Sequence, residues 1–77
     1  MTVETIDQIF GFGIGYETRL VLCEVIMQDG GYEILFNGKN VAEIIMDDNM
    51  EWRQSNGYPL GCSLIYEIGF KIVSKYN

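Results

Sequence analysis

Residues 19–46 read RLVLCEVIMQDGGYEILFNGKNVAEIIM, and the reading of this stretch decides the fold. Arg19 to Gln28 is rich in β-branched and aliphatic residues, and Asp29-Gly30-Gly31 then supplies the left-handed backbone positions that a tight reversal needs. Tyr32 to Phe36 makes a second strand, Asn37-Gly38-Lys39-Asn40 a second turn, and Val41 to Met46 a third strand. Short connections between strands of this kind favour an up-and-down antiparallel meander.

Downstream, Asp47-Asp48-Asn49 reads as another turn and Met50 to Gln54 as a possible fourth strand, before the turn-rich cluster Ser55-Asn56-Gly57-Tyr58-Pro59. Proline suits the first position of a helix, where its missing N–H is not needed, so the spacing predicts a helix over 60–76 with Pro59 opening it. On that helix Cys62, Ile65, Ile68, Ile72, Val73 and Tyr76 share one side, and Ser63, Glu67, Lys71, Ser74 and Lys75 the other. Gly69 falls within the apolar side, where the absent side chain would admit a bulky ring such as Trp52.

Upstream, Thr2 is a suitable N-cap, and Val3, Ile6, Ile9 and Phe10 follow at helical spacing up to Gly11, which predicts a short N-terminal helix. In the next segment, Gly11-Phe12-Gly13-Ile14-Gly15-Tyr16, glycine alternates strictly with a large apolar residue. If extended, it places Phe12, Ile14 and Tyr16 on one side and no side chain on the other. The expected architecture is therefore an α+β domain: a three- to four-stranded antiparallel meander packed against a C-terminal α-helix, with a short N-terminal helix. As one domain over 1–77 it divides into an N-terminal helix and Gly/aromatic segment (1–18), the antiparallel strands (19–54) and the C-terminal helix (59–76).

Seventy-seven residues suffice for one core, and 48% of them are apolar. No apolar run reaches the roughly 18 residues that a membrane-spanning helix requires, and nothing near Met1 resembles a secretory leader, so the expectation is a cytoplasmic protein with no membrane partner. Eleven acidic against five basic residues give a net charge of -6, which opposes binding to nucleic acid. Cys23 and Cys62 both sit in apolar runs and read as reduced core thiols.

Chemistry has few residues to work with. The chain contains no histidine, which removes the commonest general base and metal ligand. The three alternating glycines lack the strand-before, helix-after context of a dinucleotide loop, and Asp47, Asp48, Asn49 and Glu51 lack the glycine and distal glutamate of a calcium loop. Neither a cofactor nor a metal nor a catalytic residue is expected.

What the pattern does contain is surplus apolar surface. The apolar arc of the last helix spans roughly 200°, against about 100° for a helix covering one layer. Leu20, Leu22 and Ile26 give the first strand of the meander a second apolar face, broken by Glu24. This points to a non-catalytic protein-interaction module, a homodimer or a small subunit bound to another protein, with Phe12, Ile14, Tyr16, Leu22, Ile26 and Phe70 as the candidate interface. Two alternatives stand beside it. One is a small-ligand binder or very small enzyme with an aromatic pocket between sheet and helix, lined by Trp52, Tyr32 and Glu43. The other is an acidic inhibitor of a basic or nucleic-acid-binding protein.

Overall fold

The computed structural model describes residues 9–76. Five strands, β1 (Ile9–Tyr16), β2 (Arg19–Gln28), β3 (Gly31–Phe36), β4 (Lys39–Met46) and β5 (Trp52–Gly57), precede one helix, α1 (Cys62–Tyr76). The strands form a single sheet in the order β1-β2-β3-β4-β5, every neighbouring pair antiparallel, so the meander is of the simplest kind. α1 runs along one face of it.

Local chemistry explains most of these elements. Asn37 and Gly38 hold φ of 53° and 85°, the two left-handed positions of the tight turn whose twist matches a hairpin. The Asn37 side chain then pins this turn to β2: the Leu22 amide donates to Asn37 Oδ1 at 2.9 Å, while the Asn37 amide donates to the Leu22 carbonyl at 2.8 Å. At the far end of the sheet, Asp47 organises the β4–β5 loop by accepting the amides of Asn49 (2.8 Å) and Glu51 (3.0 Å) and the Arg53 Nε–H (2.6 Å). Gln54 ties β5 to the start of α1. Its amide donates to the carbonyls of Asn56 and Tyr58, and its Oε1 accepts the Leu60 N–H at 3.0 Å.

The core lies between the helix and one face of the sheet. Ile14, Val21, Cys23, Val25, Ile34, Phe36, Ala42 and Ile44 rise from the strands to meet Leu60, Ile65, Ile68 and Ile72. Among the described residues it contains no buried polar or charged side chain, so its stability is a matter of apolar burial and packing alone. Gly69 lies against the indole of Trp52: a Cβ at position 69 would stand 2.3 Å from two of the ring atoms, the close approach anticipated from the sequence. No helix among the described residues is long and apolar enough to cross a membrane.

The α+β class and the C-terminal helix agree with expectation, and three details are corrected. First, the sheet has five strands rather than three or four, because the Gly/aromatic segment is itself strand β1, in register with β2 from Ile9↔Ile26 to Tyr16↔Arg19. The expected N-terminal helix is not matched. Its last residues, Ile9 and Phe10, are strand, where they pair with Ile26 and Val25, and residues 1–8 lie outside the described part. Second, Ser55, Asn56 and Gly57 are strand rather than turn. A bulge absorbs Ser55 between Ile44↔Gln54 and Glu43↔Asn56, and Gly57 pairs with Ala42 so closely that a Cβ there would lie 2.4 Å from the Val41 carbonyl oxygen. Third, α1 begins at Cys62, so Pro59 belongs to the connection and not to the first helical turn.

Candidate functional site

Because side chains alternate along a strand, the residues that do not enter the core are aligned on the sheet face opposite α1. Leu20, Leu22, Glu24 and Ile26 come from β2, Glu33 and Leu35 from β3, Glu43 and Ile45 from β4, and Ile9 with Gly11, Gly13 and Gly15 from β1. No described element covers this face. Leu20 is 77% exposed, Ile9 58% and Leu22 47%, whereas Ile26, Leu35 and Ile45 are half-buried by their neighbours within the sheet. The two leucines do not stand upright. Leu20 Cδ1 lies 3.5 Å from the point where Gly13 would carry a Cβ, and Leu22 Cδ1 lies 3.4 Å from that of Gly11, so both lean over the bare backbone of β1.

Three carboxylates cross this apolar surface. Glu33 and Glu43 are direct cross-strand partners, and Glu24 on β2 sits diagonally from Glu33, two residues along from its partner Ile26. Like charges directly opposite cost a few tenths of a kcal/mol, up to about 1 kcal/mol. The cost is offset on one side by amides: Gln28 Nε2 donates to Glu33 Oε1 at 2.8 Å, and Asn40 Nδ2 donates to Oε2. The nearest cation on β5, Arg53, is committed to Asp47 at 2.6 Å. The face therefore combines apolar ground with a diagonal of negative charge.

The residues singled out from sequence fall in three places. Phe12, Ile14 and Tyr16 point toward α1. Ile14 is 2% exposed, Phe12 lies under the Lys71 ammonium at 5.5 Å, and the Tyr16 ring packs on Phe36 at 4.9 Å. Leu22 and Ile26 lie on the opposite, open face. Phe70, 68% exposed, belongs to the outer side of α1 with Tyr66 and Val73. The six do not form one surface. The alternation of β1 was legible, but which of its faces met the helix was not. Leu20, Leu35 and Ile45 complete the open face, and the signal for them was the shared parity of the strands counted from their turns.

The alternative pocket is likewise divided. Tyr32 and Trp52 meet edge to face at 5.7 Å on the helix side, while Glu43 points to the open side. A crevice of about 50 Å³ beside the β2–β3 turn touches Tyr32 and Glu43 but not Trp52, and it is far below the size of ordinary ligand sites. Two larger hollows flank α1. One of about 410 Å³ lies between the β1–β2 turn and the head of the helix, and one of about 280 Å³ lies between Trp52 and Tyr66. Among the described residues, no cluster of three or more His, Cys, Asp or Glu is placed to hold a metal ion.

The two thiols differ. Cys23 is fully buried, and burial, with Glu24 beside it, pushes its pKa up to about 12. Cys62 is exposed at the start of α1, which corrects the expectation that both are core residues. Compared with protein-family models, with curated proteins and with solved structures, the chain matches none.

Proposed function

We propose that this protein is a non-catalytic interaction module whose working surface is the open face of the sheet, and that the face takes a basic, amphipathic segment of another protein. The observation that carries this reading is the composition of that face. Antiparallel sheets often leave one side in water, but then the outward positions are polar. Here β2 presents Leu20, Leu22 and Ile26, and β3 and β4 add Leu35 and Ile45. Such a stripe is usually covered, and the chain already shows how: α1 lays an apolar side on the other face, and a second helix from a partner would complete a three-layer arrangement.

Charge selects the partner. Stacking two copies face to face would bring Glu24, Glu33 and Glu43 of each into a shared, desolvated layer, while the cations of these strands, Arg19 and Lys39, pair with Tyr16 and Phe36 on the helix side and do not oppose them. A helix with leucines along one side and lysines flanking them meets the same surface with its charges paired.

The test uses two synthetic helical peptides identical in their leucines, one flanked by lysine and one by glutamate. The lysine peptide is expected to shift the methyl resonances of Leu20, Leu22, Ile26 and Leu35 saturably, and the glutamate peptide is not. Glu24→Gln, Glu33→Gln and Glu43→Gln together should weaken binding about tenfold, the sum of three exposed pairs at roughly 0.5 kcal/mol each. Absence of binding by either peptide, or shifts confined to α1, would refute the reading.

A further inference from the structure

We infer that two copies of this chain pair antiparallel along β1, joining their sheets into a single continuous one. β1 ends the sheet and has β2 as its neighbour on one side. The strand is eight residues long, keeps one unbroken register with β2 over its whole length, and carries neither a charge nor a proline. Natural sheets blunt their edges with charged side chains, proline, bulges or short strands, because an open edge is a template for another strand.

The opposite edge shows such guards. β5 carries Arg53, is interrupted by the bulge at Ser55 and is followed by Pro59. β1 has none of them. From Gly11 to Tyr16 no described strand lies on its outer side.

The alternation fixes what such pairing looks like. Strands in one sheet must keep their faces, so a twofold pairing of β1 with itself centres on Phe12 or on Gly13. Centred on Phe12, Gly11 stands opposite Gly13 and Phe10 opposite Ile14; centred on Gly13, Gly11 stands opposite Gly15, Phe12 opposite Ile14 and Phe10 opposite Tyr16. The half-buried rings of Phe12 and Tyr16 would then gain aromatic and aliphatic neighbours on the helix side, and the glycines would merge into one bare strip on the open side. Lys71 and Lys75 stand over the rings of Phe12 and Phe10 on the helix side, Glu24 lies against Gly11 on the open side, and each chain carries a net charge of -6. Like-charge repulsion between the copies is screened by salt, so association should strengthen as ionic strength rises.

This inference is independent of the proposed partner on the open face, since it concerns the edge and is read by mass rather than by peptide binding. Light scattering from low micromolar concentration upward should give a mass of twice 8.8 kDa, falling to 8.8 kDa on dilution. Hydrogen exchange at residues 11–16 should slow as the larger species forms. Gly13→Lys is the decisive variant. A Cβ at this position meets Leu20 Cδ1 at 3.5 Å, an ordinary contact, so the fold is retained, as circular dichroism will show.

In the pair, however, the two new lysines would sit roughly 5 to 8 Å apart at the axis, and association is expected to weaken about tenfold. Ser55→Lys, the same charge on the far edge, should leave association unchanged. A mass of 8.8 kDa at every concentration would overturn the inference, as would a dimer indifferent to Gly13→Lys.

Discussion

Replacing Gly69 by alanine tests the packing of the helix on the sheet, and it does so through the sign of the effect. In an exposed helix interior, glycine to alanine stabilises by about 1 kcal/mol, because the backbone loses less entropy on folding. At Gly69 the added methyl carbon would lie 2.3 Å from Trp52 Cδ1 and Nε1 and 2.5 Å from Cε2. These are atoms of a rigid ring that also meets Tyr32 edge to face at 5.7 Å, so relief requires the indole or the helix to move by about an ångström. Overpacking of this kind costs about 1–3 kcal/mol, and three ring contacts put it near the upper end. Subtracting the helical gain leaves a net loss of about 2 kcal/mol, which for a chain of this size lowers Tm by roughly 8–16 °C. Urea titration followed by circular dichroism measures it. In a Trp52→Ala background the obstacle is gone, and the same Gly69→Ala change should become stabilising by about 1 kcal/mol. Stabilisation by Gly69→Ala in the parent protein would refute the seating of the indole on α1.

Other consequences follow from burial and from the loop that Asp47 organises. Ile34→Ala, at a fully buried central position, should cost about 2–5 kcal/mol, whereas Leu20→Ser, on the open face, should change stability by less than about 0.5 kcal/mol; denaturant midpoints compare them. The Asp47 carboxyl is held below its ordinary value, first by the hydrogen bond from Arg53 and then by the amide of Glu51, so its contribution is complete above the unfolded value of about 4 and is lost as pH falls through the lower folded value. Asp47→Asn should therefore flatten the acid limb of the stability profile below about pH 4, read as Tm against pH. Iodoacetamide should modify Cys62 in the folded protein and reach Cys23 only through unfolding, because Cys23 is buried and its pKa is pushed up to about 12; peptide mapping after timed labelling distinguishes them.

How much of this was legible in the sequence varies with the cause. β2, β3 and β4 could be read because turn chemistry bounds them: Asp29-Gly30 and Asn37-Gly38 are residues that adopt left-handed backbone at little cost. The β1–β2 turn carries no such mark. Glu17 itself takes φ of 59°, a conformation its side chain does not favour, and the hairpin closes because eight flanking pairs hold it. That is why β1 read as a loose segment rather than as a strand. Ser55-Asn56-Gly57 shows the reverse, with turn-forming residues drawn into β5 by pairing to β4 and the misfit absorbed in a bulge. For the site, the surplus of apolar surface was visible, as was the second face of β2. That Phe12, Ile14 and Tyr16 face the helix was not recoverable from parity alone, since alternation states that two faces differ without stating which one meets the helix.

The two proposed surfaces adjoin at β1, and that adjacency makes a joint prediction. Leu20 and Leu22 lean toward β1 over Gly13 and Gly11, so they border the edge at which a second copy would pair. If two copies join there, the leucines of both flank one merged glycine strip, and the Glu24, Glu33 and Glu43 diagonals lie outward on either side. A smooth floor of bare backbone between two leucine ridges admits close approach of a helix, while the carboxylates that recruit lysine are duplicated at a distance from the axis. One lysine-flanked helix would satisfy the charges of only one diagonal, so the stoichiometry expected from calorimetry is two peptides per dimer. Binding to a monomeric Gly13→Lys variant should remain one to one, since its carboxylate diagonal is untouched. A single peptide per dimer would mean instead that the glycine strip itself is the binding floor and that the carboxylates are bystanders. In that case Gly13→Lys should abolish peptide binding along with association, and the triple glutamine variant should bind as tightly as the parent.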